Sequence, residues 1–217
     1  MDKVTPPNDD ALRPADALAA AEAGILAAAA SLLTSHDTVA LSYSGGAESG
    51  LLLRLLAPFR QRLTVLWVNP GALPHEAEHV RRQAAGGPFM EIASDRPATW
   101  ARMGLPAALI PADMLRALQG DRLDPRPAVL PPGLCCLNVR TAPGDQWLSA
   151  HGFGLLIHGQ RRGEGSGLFA PNGSQSFTRW APLADWTRAE VMARVAHHGV
   201  PLPVQYREGY PETVECA

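Results

Sequence analysis

The sequence predicts an α/β fold, a three-layer sandwich in which a mostly parallel sheet carries helices on both faces. Three observations predict it. Candidate strands alternate with helical stretches along the chain. The strands are short and apolar at consecutive positions, as in Leu63–Val68 (LTVLWV) and Leu155–His158 (LLIH), the pattern of strands covered on both sides. A glycine-rich turn, SGGAESG, joins the first strand to an apolar helix.

Taken in order, residues 1–14 carry three prolines and no periodicity, and read as a loose N-terminal arm. From Ala15 to about Thr34, Leu18, Ile25, Leu26, Leu32 and Leu33 recur at roughly helical spacing. Thr38–Tyr43 is the first strand, and Leu51 to Leu56 forms an apolar helix that Pro58 stops. Leu63–Val68 is the second strand. NPGALP breaks the chain before a polar helix from Glu76 to about Ala85, and Phe89–Ala93 is a third strand. Thr99 to Leu134 holds six prolines and at most two short helices, an irregular, lid-like insertion. Leu155–His158 and Phe177–Leu183 are further strands. Thr187, with Glu190 three residues on, is a capping box opening a helix that His197, His198 and Gly199 close. The tail is proline-rich and extended. Residues 15–217 therefore read as one domain.

Composition narrows the function classes. With 217 residues and 46% apolar content, the chain can bury a full core without a staple. A formal net charge of −2 supplies no global basic field, so nucleic acid is not expected as a sole partner. No apolar run is expected to reach the roughly 18 residues of a membrane span. Met1–Asp10 lacks a basic-then-apolar signal peptide. Three cysteines do not make a disulfide framework, which points to a reduced, cytoplasmic compartment. Lys3 is the only lysine, so an anion site elsewhere must use arginine, histidine or backbone N–H groups.

The strongest local signal is Ser44-Gly45-Gly46-Ala47-Glu48-Ser49-Gly50. Glycines let the backbone turn tightly and present successive N–H groups, the following helix start adds partial positive charge, and two hydroxyls supply donors. The chemistry suits phosphate; an ordinary βα turn has the same composition. Gly159, Arg161 and Arg162 follow a later strand, at the edge where open α/β sheets bind ligands, and guanidinium groups suit phosphate or sulfate. His75 and His79 are four apart on a helix but have no third ligand nearby, and read as a solvated face. His158, at a strand end, is a weaker site candidate.

SGGAES resembles the SGGxDS-type loop of the ATP pyrophosphatase (PP-loop) superfamily. Further elements resemble, in order, the phosphoadenylyl-sulfate (PAPS) and adenylyl-sulfate reductase family: VNPGALPHE, Cys135-Cys136 with Arg140 and Pro143, HGQRRGEGS, and PLADWTRAEVMARVAHHGVPLP. The resemblance spans about residues 38–216. It implies an adenine nucleotide alpha hydrolase-like fold and a PP-loop nucleotide-binding domain. Ser44, Gly45, Gly46 and Ser49 would hold the nucleotide's phosphates, with Glu48 a nucleotide-binding residue of the same loop. Asn69 and Gly71 would lie near the adenosine, and Gly159, Arg161 and Arg162 on phosphate or sulfate. Asp185 and Trp186 would be structural. Glu48 and Asn69 stand where the family usually has Asp, and Leu168 stands where it has Arg.

The cysteines carry two implied roles. Cys135, Cys136 and Cys216 resemble cysteines that in some relatives hold a 4Fe–4S cluster, here as three ligands with one open iron. Glu215-Cys216 also resembles the family's catalytic tail, in which a thiolate attacks the activated sulfonate and thioredoxin resolves the product. The implied function is reduction or transfer of the sulfur group of an adenylyl-sulfate-type nucleotide (PAPS or APS). Two alternatives stay open: ATP-splitting adenylation of an acceptor, with Mg accompanying ATP, and a non-catalytic nucleotide-binding subunit. The implied partners are the nucleotide and a thioredoxin-like reductant, with homo-oligomerisation left open.

Overall fold

The computed structural model describes residues 11–106, 129–130, 132–162 and 176–206. Its elements are α1 (Ala15–Ser35), β1 (Val39–Ser42), α2 (Ala47–Leu55), β2 (Leu63–Asn69), α3 (Pro74–Ala84), β3 (Phe89–Ala93) and α4 (Arg96–Met103). These are followed by β4 (Leu105–Pro106), β5 (Val129–Leu130), α5 (Pro132–Cys136), α6 (Ala142–Ala150), β6 (Leu155–Ile157), β7 (Thr178–Trp180) and α7 (Arg188–His198). A π-helical turn, Leu137–Thr141, joins α5 to α6, and a short 3₁₀ turn, Val204–Tyr206, follows α7.

Five strands form one sheet in the order β3-β2-β1-β6-β7, every pair parallel. Val39 sits opposite Leu63 on one side and Leu155 on the other, so β1 is the central strand. Consecutive residues face opposite ways along a strand, and this sheet is apolar on both sides. Val39, Leu41, Leu63, Val65, Trp67, Leu155 and Ile157 pack with α1, α2, α3 and α7 in the larger core. Ala40, Leu66 and Leu156 face the other way, onto Leu148 of α6 and Phe177. The continuous apolar runs thus mark strands buried twice, as the sequence predicts.

Much of the proline-rich insertion, residues 107–128 and 131, lies outside the described residues, as do 1–10, 163–175 and 207–217. At its edges β4 and β5 pair in parallel as a separate two-stranded sheet. Residues 11–14, assigned to the arm by sequence, are anchored where the structure describes them. Arg13 donates from Nε (2.6 Å) and Nη2 (2.9 Å) to Glu190, and Thr187 Oγ1 donates to the Ala11 carbonyl. The Thr187–Glu190 capping box forms as expected, with Glu190 N donating to Thr187 Oγ1 and Thr187 N to Glu190 Oε2.

One expectation is corrected. By length and composition α1 is apolar enough to cross a membrane, with a mean hydropathy of 1.7 over its most apolar window. Its alanines raise that value. In this fold it is a core helix: Leu18, Ile25, Ala29 and Leu33 are buried on one stripe, and Glu22 lies on the same stripe. Glu22 accepts from Arg194 Nε (2.7 Å) and Nη2 (2.5 Å), and lies 2.9 Å from His198 Nε2, pinning α1 to α7.

Burial opposes the Glu22 charge, but the hydrogen bonds from Arg194 and His198 outweigh it and hold the carboxyl below its usual range. Glu22→Ala leaves the Arg194 guanidinium buried without its carboxylate, and should cost about 3 kcal/mol in urea unfolding at neutral pH. Because the folded-state pKa is depressed, this stability is present above the unfolded carboxyl's range and is lost as pH falls through the folded value. The unfolding free energies of wild type and Glu22→Gln should therefore converge in acid; a constant gap would show that the Glu22 charge is not responsible.

Candidate functional site

β1 runs into its loop between strands that leave in opposite directions, β2 then β3 on one side and β6 then β7 on the other. The carboxyl end of such a strand is the crevice where open α/β sheets bind ligands. The loop there is braced by its serines. Ser44 N donates to Ser49 Oγ (3.2 Å), the two hydroxyls lie 3.1 Å apart, and Ser49 Oγ also lies 3.2 Å from the Gly46 carbonyl, to which it can donate. Gly45 has φ +83°, and a Cβ there would stand 2.9 Å from Val80 Cγ2, so both conformation and space demand glycine. Gly46 is the N-cap of α2 and supplies no side-chain cap. The first helical amide, Ala47 N, instead donates to the Tyr206 hydroxyl at 3.1 Å.

Glu48, in the first turn of α2, organises the cations. Its Oε1 lies 2.5 Å from Arg188 Nη1 and 3.4 Å from Arg161 Nε. Arg161 is 5% exposed. Arg162, its neighbour, points out to solvent and pairs with Asp185 at 2.6 Å. The structure therefore brings Arg161, and not Arg162, to the loop. Gly159 is there for close approach: a Cβ on it would meet Glu48 Cβ at 2.9 Å and Ser49 N at 3.1 Å.

Arg188 and Tyr206 are absent from the sequence-derived site. Arg188 carries one available signal, since a cation at the first position of a helix opposes the helix dipole and needs another partner. Burial works against its charge, but Glu48 and Tyr206 outweigh that and raise its pKa. Its guanidinium also stands 5.6 Å over the Tyr206 ring.

At the end of β2, Asn69 holds the turn. Its Oδ1 accepts from Gly71 N (3.0 Å) and Ala72 N (2.8 Å), while its Nδ2 donates to Glu91 (2.8 Å). Gly71 has φ +86° with open space around it. Beside this turn lies a small cleft lined among others by Ser44, Trp67, Pro70, Glu76, His79 and Arg96. Gln205 Nε2 donates to Glu76 Oε1.

His79 corrects the reading of a solvated histidine face. α3 buries Glu76, Ala77, His79, Val80 and Ala84 along one side, and only His75 of the two histidines is exposed. Burial, then the neighbouring Arg82 charge, lowers the His79 pKa. His158, at the end of β6, is also buried, and burial followed by Arg179 pushes its pKa down to about 4. Both imidazoles are neutral at physiological pH.

The cysteines sit apart. Cys135 is buried with Val139, Trp100 and Met103, and the Trp100 indole N–H donates to its sulfur at 3.3 Å. Cys136 is half-buried, and Cys216 lies outside the described residues. Among the described residues no group of three or more His, Cys, Asp or Glu could hold a metal ion. Two adjacent thiols, one packed in an apolar cluster, do not fit a four-iron cluster by themselves.

A family model, the phosphoadenosine phosphosulfate reductase domain, matches residues 38–216. The chain belongs to this family. Among solved structures, the fold is similar to that of phosphoadenylyl-sulfate (PAPS) reductase from Candida auris, determined as a phosphate complex. The TM-score is 0.56 at 13% identity, covering 94% of this chain and 96% of that one. An NH3-dependent NAD synthetase from Campylobacter jejuni is matched with a TM-score of 0.49 at 16% identity, over 82% of this chain and 70% of that one. A search of curated protein sequences finds no significant match. The reductase likeness shows the fold, and the family match places the SGGAES loop and the Gly159–Arg162 strand end within one PAPS reductase domain.

Gly159→Ala tests the geometry. The added methyl would press on Glu48 Cβ and on the backbone of Glu48 and Ser49, none of which is a flexible side-chain end, so it should displace the start of α2. Inorganic phosphate or pyrophosphate binding, measured by calorimetry, should weaken at least about tenfold, the equivalent of one charge-assisted hydrogen bond. Undiminished binding would place the anion elsewhere.

Proposed function

We propose that this protein binds an adenylyl-sulfate-type nucleotide over the Ser44–Ser49 loop and reduces its sulfur group. The observation that carries the reading is the convergence, at the end of β1, of the loop with Arg161 and Arg188 on Glu48, inside a chain of the PAPS reductase domain family. The α2 amides and the Ser44 and Ser49 hydroxyls would take phosphate oxygens. Arg161 and Arg188 would supply positive charge as Glu48 yields part of its hold on them. Asn69 and Gly71 would border the adenosine. Arg162 would guard the rim from its place beside Asp185.

In this reading the Cys216 thiolate attacks the sulfonate sulfur. An S–S bond forms, the S–O bond to the nucleotide phosphate breaks, and the nucleotide leaves with that electron pair. A thioredoxin-like dithiol then attacks the cysteine sulfur and expels sulfite. Its second thiol closes the reductant's disulfide and returns Cys216 as a thiol, so the dithiol supplies both electrons. The adenylyl nucleotide is substrate, and the chemistry is that of a cytoplasmic, reduced compartment.

Sulfite release from PAPS or APS, dependent on thioredoxin, is the test. Wild type should release sulfite and Cys216→Ser should not, while retaining nucleotide binding. Equal turnover in both would remove Cys216 from the reaction. One feature favours a second reading: the unmodified Ser44-Gly45-Gly46 suits ATP, which would be split to adenylate an acceptor with Mg present. Pyrophosphate release from ATP, with no sulfite from either sulfonucleotide, would select it. Nucleotide binding without either turnover would select a binding subunit.

A further inference from the structure

His79 is the one buried histidine of α3, 7% exposed, and its Nε2 has no hydrogen-bond partner among the described residues. A buried polar atom without a partner is costly and calls for an explanation. Here the side chain lines the cleft beside Ser44, and its Cδ2 edge, next to Nε2, lies 3.7 Å from where a Gly45 Cβ would be. The imidazole thus lies against the anion loop, with apolar walls from Trp67, Pro70 and Val80 lining the same cleft. Those walls suit the flat, weakly polar part of a ligand, whereas phosphates belong at the amides of the loop.

We propose that His79 Nε2 hydrogen-bonds the nucleoside part, base or ribose, of the nucleotide bound over the Ser44–Ser49 loop, and so acts as a specificity-determining residue of that site. This rests on the nucleotide reading above and adds to it the group that reads the nucleoside. Because burial and Arg82 hold the ring neutral, it serves as a neutral donor or acceptor and not as a cation for phosphate. Sequence reasoning assigned this residue to solvent, since a histidine in a polar helix gives no sign of which face the sheet end covers.

Calorimetry on the full chain tests the assignment with three probes: adenosine, adenosine 3′,5′-bisphosphate and inorganic pyrophosphate. His79→Phe should weaken adenosine and the bisphosphate by a similar factor, about three- to tenfold, and leave pyrophosphate unchanged. His79→Gln, which restores a polar group at similar reach, should recover most of the loss. Unchanged adenosine binding in His79→Phe would overturn the assignment. So would an equal loss of pyrophosphate, because the effect would then run through the Gly45 contact. A wild type that binds pyrophosphate but neither adenosine compound would overturn the nucleotide reading, and this assignment with it. Should the variants fold poorly, the wild-type ring supplies the answer. In ¹⁵N-histidine-labelled protein the His79 Nε2 resonance should move as adenosine saturates, and a stationary resonance would contradict the proposal.

Discussion

The Glu48 carboxylate is the interaction on which the site depends. It projects from the first turn of α2, where the helix dipole favours an acid, and holds Arg188 from α7 and Arg161 from beyond β6. Three elements distant in sequence are thereby drawn to the end of β1. Two guanidinium groups thus meet one carboxylate beside the α2 amides. The pairing fixes where both cations stand. Gly159 lets the arrangement close, because nothing larger fits between β6 and the backbone of Glu48 and Ser49.

The rest of the fold supplies rigidity to that junction. A sheet buried on both faces fixes the direction in which β1 delivers its loop. α7, whose first residue reaches Glu48, is itself held by Glu22 on α1 and by Arg13 on Glu190. Tyr206 closes the arrangement from the chain beyond α7 by accepting from Ala47 N. A phosphate at that amide would have to share it with the hydroxyl or displace it.

The fold was legible wherever local pattern decides structure. β3 falls where Phe89–Ala93 ends at its turn, and the Thr187–Glu190 capping box is a three-residue relation that needs no tertiary knowledge. β7 is shorter than the apolar stretch around it, because Leu183 is buried in a turn and not in the ladder. The glycine loop was equally legible. What the sequence could not show are pairings set by packing alone. Arg188 meets Glu48 across 140 residues, and Tyr206 meets Ala47 across 159. Arg161 and Arg162 are identical side chains on adjacent positions, and only the approach of β6 to α2 sends one inward and the other to Asp185. The burial of His79 escapes the sequence for the same reason: helical periodicity gives a face, but not the element that covers it.

The most direct test of the account is amide chemical-shift mapping of the full chain during titration with adenosine 3′,5′-bisphosphate. The ligand should perturb the amides of Gly45 to Ser49 most strongly, followed by those of Gly159 and Arg161 and the Arg188 side chain. Saturable perturbations confined to surfaces away from the end of β1, with the Gly45 to Ser49 amides unmoved, would contradict it.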